Sequence, residues 1–183
     1  MLSLQWLWHS KGNGENPPLE GALYMILKRG VTGFTKGDLS LERDGAACSA
    51  EFKKYCYSYV GQLNGRVLAW HDPDIDVGYA HAHVKIDGEA FYIFYNDMYD
   101  YVAFSSNCEI GELDFNDHPL LAGLFENPYQ VVTAAQLTEP LAFQASGSGN
   151  ILLNENDLND VELRFMNHFR SQTVGDLVFN YWD

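Results

Sequence analysis

Two β-rich runs separated by only two residues constrain the fold of this chain more than any other feature. Residues 79–86 and 89–96 are rich in β-branched and aromatic side chains, and Asp87 and Gly88 lie between them. This dipeptide suits a type I′ turn, because both central positions of that turn need positive φ. We therefore predict an antiparallel hairpin, which a third run at 99–104 extends into a meander.

An apolar stripe ahead of the hairpin predicts an amphipathic helix over residues 50–63, with Ser49 as its N-cap. Asn64 and Gly65 end this helix, and a short strand follows at 66–70. The stripe has the spacing i, i+3, i+4, i+7, i+8, i+11 and consists of Phe52, Tyr55, Cys56, Tyr59, Val60 and Leu63.

The rest of the chain predicts a mixture of strands and helices. Before the first helix, residues 21–28 are expected to form a buried strand. After the hairpin we expect a short helix at 118–126 started by Asp117, β-structure at 129–137, and a helix at 157–170. One face of that last helix carries Leu158, Val161, Phe165 and Phe169.

The segment 175–183 is too apolar to stay in solvent and is expected to dock as a final strand or a packed tail. Strands in the middle with helices before and after them favour an α+β fold. We predict a single domain over residues 1–183, with a mainly antiparallel sheet flanked by two or three helices.

Charge is distributed unevenly along the chain. The net charge is −14, from 11 basic and 25 acidic residues. Residues 72–162 hold 17 acidic residues against one basic residue, Lys85, whereas the remainder holds 8 acidic and 10 basic residues. Nonspecific nucleic-acid binding needs Lys and Arg against phosphate, so we expect neither nucleic acid nor an anionic membrane as a partner. A basic protein surface is the natural complement.

The cysteines and the N-terminal residues favour a cytoplasmic location. Cys48, Cys56 and Cys108 are odd in number and lack paired spacing, which is typical of reduced thiols. The first eight residues are apolar but follow no basic region and precede no small-residue cleavage site. We also expect no membrane span, because no apolar stretch has the required length.

Acidic residues alternate with tyrosines over residues 92–101, and Asp–Tyr mixtures suit binding to Lys/Arg-rich surfaces. The alternative is an acidic face that serves solubility alone, with the tyrosines packed in the sheet. The predicted contact residues are Asp72, Asp74, Asp76, Asp97, Tyr99, Asp100, Tyr101, Glu112, Asp114 and Asp117.

His81 and His83 are the candidate metal ligands, because residues i and i+2 of a strand point to one side of the sheet. This pair is loosely similar to the His-x-His strand of cupins, but no second histidine motif follows downstream. The ordinary interpretation is two polar residues on the open face of a hairpin. We predict no catalytic residue and no cofactor, because the nucleophile elbow, the dinucleotide-binding glycines, the P-loop and Cys-x-x-Cys are all missing.

The compact size, the lopsided acidic charge, the Tyr/Asp-rich middle and the short apolar tail at 175–183 resemble the immunity proteins of bacterial polymorphic-toxin and contact-dependent inhibition systems. This resemblance implies a protein without chemistry of its own that occludes the active site of a cognate toxin. Nuclease toxins have basic clefts, which an acidic protein could cover. A metal-dependent enzyme using His81 and His83, and an acidic accessory or scaffold domain, remain as alternatives.

Overall fold

The structure, a computed structural model, describes residues 24–34, 44–74, 77–109, 113–146 and 149–181. These residues form five helices, a five-stranded sheet and a two-stranded sheet. The larger sheet is antiparallel except at its last pair of strands. The predicted α+β fold with a mainly antiparallel sheet is therefore confirmed.

The larger sheet has the strand order β1-β2-β3-β4-β5, with β5 parallel to β4. The helices are α1 (Gly45–Gln62), α2 (Pro119–Phe125), α3 (Ala134–Leu137), α4 (Asp160–Phe169) and α5 (Val174–Val178). The strands are β1 (Arg66–His71), β2 (Ala80–Ile86), β3 (Glu89–Asn96), β4 (Tyr101–Ser105), β5 (Gln130–Val131), β6 (Phe143–Ser146) and β7 (Gly149–Leu152).

The hairpin between β2 and β3 has the predicted turn. Ile86 pairs with Glu89, and both Asp87 (φ 51°) and Gly88 (φ 90°) have positive φ, as a type I′ turn requires. The next strand, β4, starts two residues later than predicted. Residues 97–100 form a second turn, in which Asp100 adopts φ 54°. Because this conformation is not extended, β4 begins only at Tyr101.

Helix α1 has the predicted apolar stripe but begins earlier than predicted. Asp44 is its N-cap and accepts a hydrogen bond from the backbone N–H of Ala47 at 3.1 Å. The prediction of Ser49 as the cap is wrong, since Ser49 is a buried residue within the helix. Phe52, Cys56 and Val60 are fully buried, so the stripe does face the core.

Helices cover both faces of the larger sheet. Helices α1 and α2 pack on one face, where the alternate residues of β2 are buried. On the other face lie α3, α4, α5 and residues 24–34, which share a core with Phe94 and Ala103 of the sheet. His81 and His83 point to this second face, because they alternate with the buried residues of β2.

Two segments in the second half form helix, where β-structure was expected at 129–137 and a strand or a packed tail at 175–183. Within 129–137 only Gln130–Val131 is a strand, because Thr133 and Gln136 make reciprocal capping-box hydrogen bonds that start α3. Within 175–183 the chain forms α5, which a second capping box between Thr173 and Asp176 starts. The residues after α5 form a packed tail, in which Phe179 and Asn180 are buried.

Two predicted helix boundaries also shift. The N-cap of α2 is His118, whose Nδ1 accepts the N–H of Leu121, rather than Asp117. Helix α4 begins after the cap residue Asn159, and its fully buried residues are Glu162 and Met166 rather than the predicted apolar face.

The predicted strand at 21–28 is reduced to an isolated bridge from Leu27 to Asn156, and residues 21–23 lie outside the described part.

Candidate functional site

Carboxylates gather around the N-terminal end of α1 and the turn between β3 and β4. We call this group the α1 acidic surface, and it consists of Asp44, Glu51, Asp72, Asp97 and Asp100. Asp44 caps the helix, while Asp97 and Asp100 belong to the adjacent turn. Asp72 follows β1, which ends at the same end of the sheet as β3.

Asp72 and Asp97 line an open cleft of about 550 Å³ beside the first turns of α1. Ser49 and Lys53 contribute the helix side of this cleft. Gly45 allows the close approach of the helix to the turn, because a Cβ at this position would lie 2.6 Å from Oδ2 of Asp97. The glycine therefore brings the positive end of α1 against a carboxylate.

Asp72 is held in place by three neighbours. It accepts hydrogen bonds from Nε1 of Trp70 at 2.9 Å and from Oγ of Ser49 at 2.8 Å. These two bonds, together with the charge of Lys53, hold the pKa of Asp72 below its ordinary value. The Nζ atom of Lys53 lies 5.3 Å from the centre of the Trp70 ring, which fixes the lysine beside the carboxylate.

Asp100 and Glu51 meet around two tyrosines. The hydroxyl of Tyr95 donates to Oδ1 of Asp100 at 2.7 Å. Burial raises the pKa of Tyr129, and the negative charges of Glu51 and Asp100 raise it further. Helix α1 and the β3–β4 turn thus each place a carboxylate near Tyr129.

The predicted contact residues Tyr99 and Tyr101 do not form an exposed pair. Tyr101 is 5% exposed and packs in the core, so its assignment to a contact face is corrected. Burial raises its pKa to about 12. Tyr99 is half-buried and donates from its hydroxyl to the carbonyl of Arg29 at 2.6 Å. Lys28 lies over both rings, so the two tyrosines anchor residues 24–34.

Asp114 and Asp117 lie at the opposite end of β4 from Asp97 and Asp100. The hydroxyl of Ser106, which follows β4, donates to Oδ2 of Asp114 at 2.6 Å. Asp117 accepts the backbone N–H of Ala134 at 2.8 Å and thereby supports the start of α3. These two carboxylates are exposed but do not belong to the α1 acidic surface.

Asp74 accepts the backbone N–H of Val77 at 3.0 Å in its own loop. The remaining predicted contact residues, Asp76 and Glu112, lie outside the described part of the chain. The predicted contact residues that the structure describes therefore do not form a single face.

Asp44 and Glu51 were not predicted as contact residues, and Glu162 was not predicted to be buried. The first two lie in the part of the chain whose charges nearly cancel, so the charge count along the sequence gave them no weight. The asparagine and aspartate preference at helix N-caps was the available signal for Asp44. Glu162 was counted with the acidic half but is fully buried.

His81 and His83 share a face of β2, yet each stacks on a different ring. The ring of His81 stacks on that of His71 with centroids 4.5 Å apart, whereas His83 stacks on Tyr92 at 4.6 Å. Nδ1 of His81 is buried and has no hydrogen-bond partner among the described residues. Burial, and secondly the charge of His71, lower the pKa of His81 to about 4.

Neither a metal centre nor a reactive thiol stands out in the described ranges. They contain no group of three or more His, Cys, Asp or Glu side chains placed to hold a metal ion. Burial raises the pKa of both Cys56 and Cys108, which lowers the fraction of nucleophilic thiolate.

Comparisons of the chain with protein-family profiles, with curated proteins and with solved structures gave no significant match. None of the helices in the described ranges is both long and apolar enough to cross a membrane. A proposal about function therefore rests on the chemistry of the described residues.

Proposed function

We propose that this protein binds a basic protein partner through the α1 acidic surface. The observation that carries the proposal is the exposure of the carboxylates. Of the 18 described Asp and Glu side chains, 17 are exposed or partly exposed, whereas the same residues include only 8 Lys and Arg. Such an excess costs folding stability through self-repulsion, and a cationic partner would offset that cost.

The α1 acidic surface suits this role better than the other exposed acids do. It combines five carboxylates with a cleft of about 550 Å³, which is large enough to receive a Lys or Arg side chain between Asp72 and Asp97. Lys53 lies on the helix side of the cleft, where its positive charge partly offsets the negative charge that an incoming cation meets. Charges so placed raise association rates and enforce partner choice more than they raise affinity.

The partner that we propose is a toxin domain, which makes the protein an immunity protein. The supporting features are the acidic surface, the ring stacking of His81 and His83, and the burial of Cys56. A nuclease toxin offers the matching basic cleft, because it must bind phosphate. Occlusion of that cleft would require no chemistry from the inhibitor.

The test first asks whether a gene beside that of this chain encodes a protein with a basic C-terminal domain, and then uses that purified domain as the binding partner. We expect the variant Asp97→Asn/Asp100→Asn to associate about tenfold more slowly than the wild type at low salt. Asparagine keeps the shape of each side chain and tolerates the positive φ of residue 100. Stopped-flow association rates over a range of NaCl concentrations provide the measurement, and the difference should shrink as salt screens the charges.

The matched control is Asp87→Asn/Glu89→Gln, which removes the same charge from the exposed turn at the far end of the β2–β3 hairpin. A smaller effect from this control locates the contact at the α1 acidic surface. Equal slowing by both variants would mean that net charge alone matters. If the neighbouring domain does not bind at all, the immunity proposal is wrong.

A further inference from the structure

The indole ring of Trp70 already carries a cation of the chain itself. The Nζ atom of Lys53 lies 5.3 Å from the centre of this ring, which is the distance of a cation–π contact. Both side chains are partly buried, and Trp70 packs against the core beneath α1. Lys53 lines the cleft beside α1 whereas Trp70 does not, so the lysine separates the indole ring from the cleft.

The two carboxylate oxygens of Asp72 differ in their hydrogen bonding. Its Oδ1 accepts both from Nε1 of Trp70 at 2.9 Å and from the hydroxyl of Ser49 at 2.8 Å. Neither bond uses Oδ2, and none of the described residues donates a hydrogen bond to that atom. The two bonds orient the carboxylate, so Oδ2 is an acceptor available to a donor that enters the cleft.

The position of this carboxylate beside the indole ring favours a planar cation. Nε1 belongs to the edge of the ring and donates to Asp72, so the carboxylate lies beside that edge. A cation over the ring face is therefore also near a carboxylate. A guanidinium group stacks on aromatic faces and donates several N–H bonds in its own plane, whereas an ammonium group is a compact and strongly hydrated point charge. These neighbours therefore suit arginine better than lysine.

The contact that holds Lys53 over the ring is easily exchanged. Lys53 is partly exposed, and cation–π contacts at such sites are weak because water competes for the ammonium group. The long lysine side chain has several rotatable bonds, so its charged end can return to solvent while its methylene groups stay on the helix surface. An incoming guanidinium group can therefore replace the ammonium group over Trp70.

We propose that Trp70, Asp72 and Asp97 bind one arginine side chain of the basic partner, and that Lys53 takes its place over Trp70 while the partner is absent. The arginine stacks on the indole ring and donates to Oδ2 of Asp72, and Asp97 supplies a second carboxylate in the same cleft. Lys53 also sets the specificity, because a partner lysine would merely exchange one ammonium group for another. This inference rests on the proposed function, since it names the residue type that the α1 acidic surface recognises.

The probes are N-acetylarginine amide and N-acetyllysine amide, which carry the same single charge. Two-dimensional NMR of the isotope-labelled full chain follows the indole N–H signal of Trp70, which is assigned by its loss in Trp70→Phe. We expect the arginine compound to shift this signal with a dissociation constant on the order of millimolar, about fivefold tighter than the lysine compound. Equal affinities of the two compounds overturn the inference.

The variant Lys53→Ala tests the exchange of cations. It should bind the arginine compound about fivefold more tightly than the wild type, because it uncovers the ring of Trp70 and removes a competing cation. The matched control is Lys54→Ala, which removes the same charge from the next, exposed position of α1 and should change the affinity by less than about twofold. Equal gains in the two variants would mean that only the overall charge matters, and Lys53 would then have no special part.

The variant Asp72→Asn tests the free carboxylate oxygen. It keeps an oxygen that can accept from Trp70 and Ser49, but it places an amide group at the position of Oδ2. We expect its affinity for the arginine compound to fall at least about tenfold, since a donor then faces a donor. Asp87→Asn, in the exposed turn of the β2–β3 hairpin, should keep the wild-type affinity. Undiminished binding to Asp72→Asn overturns the inference.

The two proposals fail separately. Slower association of the neighbouring domain with Asp97→Asn/Asp100→Asn, together with equal affinities for the arginine and lysine compounds, supports the α1 acidic surface and overturns the arginine site. Binding of the arginine compound that depends on Asp72 and Lys53, without any binding of the neighbouring domain, has the opposite meaning. In that case the arginine site is real and the immunity proposal is wrong.

Discussion

The imidazole of His81 lies in an apolar setting where protonation is costly. Its neighbours are the rings of His71, Tyr79, Tyr92 and Phe94, and its Nδ1 atom has no hydrogen-bond partner among the described residues. The pKa is about 4 in the folded protein, against 6.5 for an ordinary histidine. Between about pH 6.5 and pH 4, His81 is protonated in the unfolded chain but neutral in the folded chain. The free energy of unfolding therefore decreases as the pH falls through this range.

We expect this loss to be on the order of 1 kcal/mol between about pH 7 and pH 5, since solvent screening reduces the full effect of the shift. Urea unfolding at each pH measures it. His81→Phe, which keeps an aromatic ring beside His71, should flatten the profile in this range. A slope in His81→Phe equal to that of the wild type would refute the assignment.

Glu162 is a buried carboxylate with a structural task. Its Oε1 accepts from the N–H of Gly30 at 3.0 Å and from the hydroxyl of Thr32 at 2.7 Å, and its Oε2 accepts from the N–H and side chain of Asn159. The side chain thereby ties residues 30–32 to the start of α4. Every hydrogen bond that it makes needs an acceptor.

Glu162→Gln should destabilise the fold by about 3 kcal/mol, because the new amide group turns a donor toward existing donors in a buried site. The midpoint of urea unfolding is the measurement. Asp160→Asn alters the same charge on an exposed residue of α4 and should cost well under half as much. Similar losses in the two variants would show that charge, rather than hydrogen-bond geometry, is responsible.

Helix α5 depends on a close approach that only glycine allows. A Cβ on Gly175 would collide with the ring of Phe115 and lie 3.1 Å from the carbonyl oxygen of Leu137. Gly175→Ala should therefore cost about 2 kcal/mol through overpacking, although alanine is the better helix former. Gly123→Ala in α2 meets open space and should be neutral or slightly stabilising, so equal destabilisation in thermal unfolding would contradict this account.

Elements whose determinants are local could be predicted from the sequence. The Asp87-Gly88 turn and the stripe from Phe52 to Val60 are short-range patterns, and the structure confirms both. The prediction of β-structure was wrong for most of the segment 129–137. Its composition favours a strand, but the capping box of Thr133 and Gln136 outweighs this strand preference over the single turn of α3.

The candidate site could be predicted only in part, because it joins residues that are distant in the chain. Asp97 and Asp100 were expected, but their position beside α1 follows from the order of β1 to β4, which no local pattern gives. The burial of Tyr101 depends on residues 24–34 packing over the second face of the sheet. Alternation in a strand identifies two faces but does not say which of them is covered.

At the scale of the whole molecule, the exposed carboxylates lower the folding stability of the isolated protein but favour binding of a cationic partner. A surface held ready for a cationic partner repels itself while the partner is absent. The α1 acidic surface should carry part of this cost, because Asp72 and Asp97 line one cleft and Glu51 and Asp100 both act on Tyr129. The same residues that quicken association are therefore expected to weaken the isolated fold.

Salt provides a test of where the repulsion is concentrated. Raising NaCl from about 0.05 M to about 0.5 M shortens the Debye length to a few ångströms and should raise the free energy of unfolding of the wild type by about 1 kcal/mol. Glu51→Gln/Asp100→Asn should already be stabilised at low salt and should gain less from added salt, because the two carboxylates that act on Tyr129 are then neutral. Asp87→Asn/Glu89→Gln removes equal charge from the far end of the β2–β3 hairpin and should retain most of the salt effect. The free energy of unfolding of both variants is measured by urea unfolding. Identical salt responses would mean that the repulsion is spread evenly over the exposed carboxylates and is not concentrated at the α1 acidic surface.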